Sequence, residues 1–203
     1  MTAQIIALMG SPVPDGNTAK LLEKAISGAK DAGCSVVRVD VPALKFSSCM
    51  EYFYCEKNEG CMINDEFTPF LKRFKSADGF IVAAPVMTMG IPGALKSFID
   101  RFQVFFMAKY VRHEPMITKE QKKWRKTLLL SIGGMNIPND FDGVKLTIDA
   151  FCDIIDAPLF ESVLQNDMDS IKDIETLPAV MEAAYKKSFD MCTKIIEDKK
   201  KHS

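Results

Sequence analysis

Apolar positions along the chain fall into two alternating rhythms. Residues 4–9 (QIIALM), 79–84 (GFIVAA) and 127–132 (TLLLSI) are short, almost continuous apolar runs. Such runs predict strands covered on both faces. Residues 35–41 (SVVRVDV) alternate, and residues 159–164 (LFESVL) carry Glu161 and Ser162. Those two strands are therefore expected at the edges of a sheet. Between the strands the spacing changes to helical. Residues 18–32 place Leu21, Leu22, Ala25, Ile26 and Ala29 on one face, and residues 65–75 do the same with Phe67, Phe70, Leu71 and Phe74. Further helices are predicted over 92–107, with Pro92 in a tolerated first turn, over 140–155 and over 174–198.

Five strand–helix units predict an α/β fold: a doubly wound parallel sheet of five strands with helices on both faces, in three layers. Placing the two polar strands at the edges gives the order 2-1-3-4-5, the flavodoxin-like arrangement. Residues 1–203 are expected to form one domain of this kind. In such sheets a ligand lies beyond the carboxyl ends of the strands, at the switch point between strands one and three.

The loops at that end are the candidate site. After strand one comes Gly10-Ser11-Pro12-Val13-Pro14-Asp15-Gly16-Asn17-Thr18. A strand, a polar turn and a helix aim free backbone N–H groups at the turn, and the helix dipole favours an anion there. Ser11, Asn17 and Thr18 add side-chain donors. Five residues separate Gly10 from Gly16, and Asn17 stands where a P-loop has its lysine. The G-x-G-x-x-G pattern fails at Pro12 and Asp15. A single phosphate monoester suits the loop best. After strand three, Pro85, Val86, Met87, Thr88, Met89 and Gly90 combine apolar side chains with turn residues, able to wall a flat aromatic ring. After strand four, Gly133 and Gly134 let backbone approach a ligand closely.

Charge and composition narrow the classes. A net charge of −1 argues against nucleic acid, and no apolar run is long enough to span a bilayer. The chain runs straight into a strand, so no signal peptide is expected and the location is expected to be cytoplasmic. The six cysteines then read as thiols or metal ligands, not disulfides. Neither His113 nor His202 lies in a ligand loop, and no Ser-His-Asp set stands out. Phe98, Phe102, Phe105 and Phe106 form an aromatic face suited to core or subunit packing. The basic stretch 112–126, with Trp124, reads as a solvated connection, or as a pocket edge that receives dinucleotide phosphates or docks an acidic redox partner.

The segments GSPVPDGNT, PVMTMGIPGALKSFIDRF and SIGG resemble the NADPH-dependent FMN reductase-like and iron–sulfur flavoprotein families over residues 4–135. The resemblance implies an FMN-dependent oxidoreductase that takes electrons from NAD(P)H and passes them to a flavin, quinone or other small-molecule acceptor. It implies a homodimer or homotetramer. Ser11, Val13, Asn17 and Thr18 would surround the FMN phosphate, residues 85–90 would meet the isoalloxazine ring, and Gly133 and Gly134 would line its other side. Asp100 and Arg101 would be structural helix residues. The iron–sulfur flavoproteins carry a compact four-cysteine motif after strand two. Here its positions read Cys49, Tyr52, Cys55 and Cys61, so three thiols are left to bind a cluster or another metal, or to serve without one. The alternative function is an iron–sulfur flavoprotein, or a flavodoxin-like electron carrier, that exchanges electrons with a ferredoxin-type protein partner.

Overall fold

A computed structural model describes residues 2–202. Five strands, β1 (Gln4–Met9), β2 (Ser35–Asp40), β3 (Gly79–Pro85), β4 (Lys126–Ile132) and β5 (Leu159–Gln165), form one sheet in the order β2-β1-β3-β4-β5. Every pairing is parallel. β2 and β5 are the edges, as the alternation of β2 and the polar Glu161 and Ser162 of β5 predict. β1, β3 and β4 are buried along nearly their whole length.

Five longer helices cover the two faces: α1 (Asn17–Asp31), α2 (Thr68–Ser76), α3 (Gly93–Asp100), α4 (Asp142–Ile154) and α5 (Pro178–His202). The two-residue period of the strands divides the core. Ile5, Ala7, Met9, Ile81, Ala83, Leu128 and Leu130 pack with α1 and α5. Ile6, Leu8, Phe80, Val82, Ala84 and Leu129 pack with α2, α3 and α4. The second layer is rich in aromatics: Phe67, Phe74, Phe98, Phe102 and Phe151 meet mostly in tilted or edge-on pairs. The aromatic face over 98–106 is thus core, with Phe98, Phe102 and Phe105 buried. Among the described residues no helix is long and apolar enough to cross a membrane.

Three boundaries differ from expectation. The helix expected over 92–107 stops at Asp100 and resumes as a single turn, Gln103–Phe106, that widens into a π-turn, Met107–Val111. No glycine or proline marks this break. It falls where Arg101 is drawn into the interior, and the chain tightens there, with Phe102 N–H donating to Ile99 O and Phe105 N–H to Phe102 O. α2 starts at Thr68 because Asp65 first closes a turn, its Oδ1 accepting Phe67 N–H while its own N–H donates to Thr68 Oγ1. α5 starts at Pro178, since residues 174–176 form a 3-10 turn whose Glu175 N–H donates to Asp173 Oδ1.

The basic stretch 112–126 is largely the solvated connection expected, with residues 113–115, 118–120 and 123 exposed, but it also carries buried anchors. It leads into the first residue of β4, at the end of the sheet opposite the ligand loops, and buries Ile117, Trp124 and Arg125. The Arg125 guanidinium donates to the carbonyls of Phe74, Ala77, Ile155 and Asp156, at the carboxyl ends of α2 and α4. A cation is favoured there by the orphan carbonyls and the dipoles of both helices. Burial nevertheless pushes its pKa down, to about 10. Beside it, the buried Asp78 accepts from Gln4 N–H, Trp124 Nε1 and Lys199 Nζ.

Candidate functional site

The loop after β1 is anchored to β3 by Gly10 N–H, which donates to Ala83 O at 2.8 Å. A tight turn follows, with Gly16 N–H donating to Val13 O at 3.3 Å and Val13 N–H to Ser11 Oγ at 3.2 Å. Gly16 is the N-cap of α1 and provides no side-chain acceptor, so no side chain caps the first-turn amides. Ser11 and Thr18 are buried beneath the loop, whereas Val13 lies on its outer surface. Asn17 departs from expectation. Its side-chain amide donates to Lys172 O at 2.7 Å, and its Oδ1 accepts Ile174 N–H at 3.1 Å. That side chain straps the turn after β5 onto α1, and Lys20 reinforces the strap by pairing with Asp173 and Glu175. What Asn17 leaves at the loop is its main chain.

The loop after β3 is a closed four-residue turn. Val86 N–H donates to Ile132 O, and Met87 and Gly90 exchange both backbone hydrogen bonds. Thr88 and Met89 between them have φ of 50° and 60°. Positive φ at both central positions defines a type I′ turn, which favours Gly and Asn. A β-branched threonine there is strained. Such strain gathers at ligand clamps. Val86 is partly buried, and Met87, Thr88 and Met89 are exposed. α4 holds the turn from behind, and only a glycine at 143 fits: a Cβ there would lie 2.1 Å from Met89 O.

The loop after β4 uses its glycines differently from expectation. Gly133 N–H donates to Gln165 O, and the carbonyls of Gly133, Gly134 and Met135 accept from Met168, Asp169 and Asp167. A Cβ on Gly133 would lie 1.7 Å from Asp140 Oδ2, and one on Gly134 would lie 2.7 Å from Asp169 Oδ2. The missing side chains make room for this chain's own carboxyls. Asp140, which sequence reasoning passed over, is only 3% exposed, and its Oδ2 has no hydrogen-bond partner among the described residues. Burial pushes its carboxyl above the ordinary carboxylate range.

The cysteine loop lies between β2 and α2. Arg101, fully buried, donates to Ser47 O, to Ile63 O and to both oxygens of Asp65, so one guanidinium holds both ends of the loop. Burial opposes the charge on Asp65, but Arg101 and the N–H groups of Ser47 and Phe67 outweigh it and hold the carboxyl below its ordinary value. Arg112 donates to Cys55 O within the loop. The structural role expected for Arg101 is thus specific: it shapes this loop. Cys49, Cys55 and Cys61 line a common cavity of about 30 Å³ with Tyr52 and Phe53. Burial pushes the Cys55 thiol up, and the neighbouring Cys61 and Cys49 act in the same direction.

The expectation of a metal at Cys49, Cys55 and Cys61 is not met by their placement. Among the described residues no three Cys, His, Asp or Glu side chains converge on a point where an ion could sit. The second position is Tyr52, 59% exposed. Three thiols do not complete the donor set of a cubane, which takes four thiolates. Cys34, Cys152 and Cys192 are buried in the core.

A parallel sheet in this order, with a phosphate-type loop at its switch point, defines the flavodoxin-like class of α/β proteins. Within that class the chain belongs to the NADPH-dependent FMN reductase family, whose model matches residues 3–136. An iron-sulfur flavoprotein of Methanocaldococcus jannaschii is 31% identical over 98 residues, which are 48% of this chain and 51% of that protein. One from Methanosarcina thermophila is also 31% identical over 98 residues, with the same shares of the two chains. The chain thus spans about half the length of the curated relatives it matches. Among solved structures, an NAD(P)H:quinone oxidoreductase from Methanothermobacter marburgensis is 16% identical, with a TM-score of 0.69 covering 94% of this chain and 96% of that one. An FMN-dependent NADH-azoreductase from Bacillus anthracis in complex with FMN is 14% identical, with a TM-score of 0.62 over 96% of this chain and 99% of that one. At these identities the likeness to solved structures is one of fold.

Proposed function

We propose that this protein is an FMN-dependent oxidoreductase that takes electrons from NAD(P)H and delivers them to a flavin, a quinone or another small-molecule acceptor. The observation that carries the reading is the uncapped amino terminus of α1, behind a tight loop at the β1/β3 switch point. Main-chain amides around 16–18, with the Ser11 and Thr18 hydroxyls, would hold the FMN phosphate, and Val13 would cover it from outside. Asn17 would serve through its main chain. The turn over Pro85, Val86, Met87, Thr88, Met89 and Gly90 would meet one side of the ring, and Gly133 and Gly134 the other.

Bound flavin would supply the hydride and electron chemistry. This chain's residues supply the rest. The strained, hydrogen-bonded turn at 87–90 presents a preformed wall. The exposed Met87, Met89 and Met135 give it an apolar rim that sheds water. No side chain is required as an essential acid or base. The same exposed residues, with Leu146, suit burial against a second copy, so we place the protein as a homodimer or homotetramer of a single flavodoxin-like FMN-binding domain. Six unpaired cysteines suit a reducing, cytoplasmic location.

Titrating the ligand-free protein into FMN tests the reading: flavin fluorescence should be quenched with one FMN per chain, and NAD(P)H should then bleach the bound flavin anaerobically. A folded protein that ignores FMN refutes it. The names of the curated relatives favour a second reading, an iron–sulfur flavoprotein. The cysteine loop weighs against that reading, and iron and sulfide analysis after anaerobic purification decides it.

A further inference from the structure

We propose that Asp140 is a positioning residue of the FMN site: its carboxyl group, packed into the notch of Gly133, keeps the loop after β4 in its ligand-binding shape, and a charge on that group loosens it. The inference rests on the flavin reading above and adds a residue and a control that reading does not contain.

The geometry is specific. Asp140 ends the loop that starts at Gly133 and lies just ahead of α4. Its Oδ2 occupies the space where any other residue at 133 would put a Cβ. Three residues further on, α4 touches the carbonyl of Met89 in the strained turn after β3. The acid therefore sits between the two loops proposed to hold the ring. It is buried and its Oδ2 is unpartnered, whereas native proteins pair nearly all such atoms. Ionisation is disfavoured there, because the charge would fall partly on a buried oxygen with no hydrogen-bond partner.

Among the described residues Asp140 forms no ion pair. The turn after β3 contributes no titratable group. The segment packed on Gly133 and Gly134 contributes Asp167, Asp169 and Lys172, and α4 contributes Asp142 and Lys145. None of these forms an ion pair with Asp140 among the described residues. Burial accordingly raises its pKa, and anything that fixes the loop further, as FMN would, raises it again. The linkage is reciprocal, so losing the proton must weaken FMN binding.

The test is FMN affinity against pH, by flavin fluorescence quenching from pH 5 to 9, for the wild type and Asp140→Asn. The FMN phosphate titrates equally against both proteins, so the ratio of the two affinities isolates Asp140. The expected result is a ratio near one at low pH, with the wild type falling behind by about tenfold as Asp140 ionises. Superimposed profiles overturn the inference. Carboxyl-carbon NMR of the wild type provides a readout that needs no variant. The Asp140 carboxyl should titrate above the ordinary range and move higher when FMN is added, and the absence of that movement likewise overturns the inference. If neither protein binds FMN at any pH, the flavin reading itself fails. If FMN binds but the ratio stays flat, only the role of Asp140 fails.

Discussion

The two ends of the sheet treat buried polar groups in opposite ways. At the amino end, Asp78 accepts from a main-chain amide, an indole and a lysine, and Arg125 donates to four carbonyls. At the carboxyl end, Asp140 Oδ2 has no partner, the first turn of α1 has no side-chain cap, and Thr88, Met89, Asn139 and Asp167 sit at positive φ. Asp140 is as buried as Asp78, so for these two acids the difference is not one of depth. Where polar groups are saturated the sheet gains stability. Where they are left open, free energy is held in reserve for something that will complete them.

The largest effect expected from breaking this contrast is at Arg125. Arg125→Ala leaves four buried carbonyls without a donor and opens a void, and should cost about 3–5 kcal/mol in urea denaturation. FMN affinity of the protein that remains folded should be unchanged, because the site lies at the other end. Asp78→Ala comes next. It strands the Trp124 indole N–H and the Gln4 amide, and should cost about 2–3 kcal/mol, again with FMN binding intact. A loss of FMN affinity in either variant, measured by flavin quenching on folded protein, would erase the distinction between the two ends.

At the carboxyl end the sign should reverse. The folded-state pKa of Asp140 lies above its unfolded value, so the folded protein holds this proton more tightly. Its contribution to stability is therefore present at low pH and is lost as pH rises from the ordinary carboxylate range through the raised pKa. Asp140→Asn cannot ionise. It should match the wild type near pH 4 and exceed it by about 1 kcal/mol at pH 8 in the ligand-free protein. Paired urea melts at the two pH values check this. A variant less stable than the wild type at pH 8 would mean that Asp140 is partnered after all.

What could be read from the sequence divides along the same line. Strands, edges and sheet order were legible because the apolar runs of β1, β3 and β4 contrast with the alternation of β2 and the polar Glu161 and Ser162 of β5, and burial acts directly on that contrast. The position of the candidate site follows from topology. Long-range polar contacts were not legible. Arg101 ends a helix with no local breaker because its partners lie 36 to 54 residues away. Trp124 and Arg125 look solvent-bound in a basic stretch until Asp78 and two helix ends are brought to them. Asn17 matches a phosphate donor by position, yet its side chain goes to residues 155 to 157 positions away. Asp140 resembles any acid ahead of a helix. Its one local clue was the glycine at 133, whose missing Cβ suggested a ligand and in fact admits the acid.

The smallest expected effect sharpens the comparison most. Thr88 at φ 50° should carry about 1 kcal/mol or more of backbone strain. Thr88→Gly removes that strain but gives the unfolded chain more freedom, at a cost of about 0.5–1 kcal/mol. The two should nearly cancel, leaving stability within about 0.5 kcal/mol of the wild type, whereas glycine at an ordinary position of a strand or helix costs about 1 kcal/mol. Binding should not cancel in the same way. A glycine at 88 lets the turn sample other shapes before ligand arrives, so FMN affinity should fall by about threefold to tenfold through lost preorganisation. Unchanged stability with weakened FMN binding is the signature of strain kept for a ligand. A variant that melts far below the wild type would make the 87–90 turn an ordinary structural element, and the two ends of the sheet would differ less than their hydrogen bonds suggest.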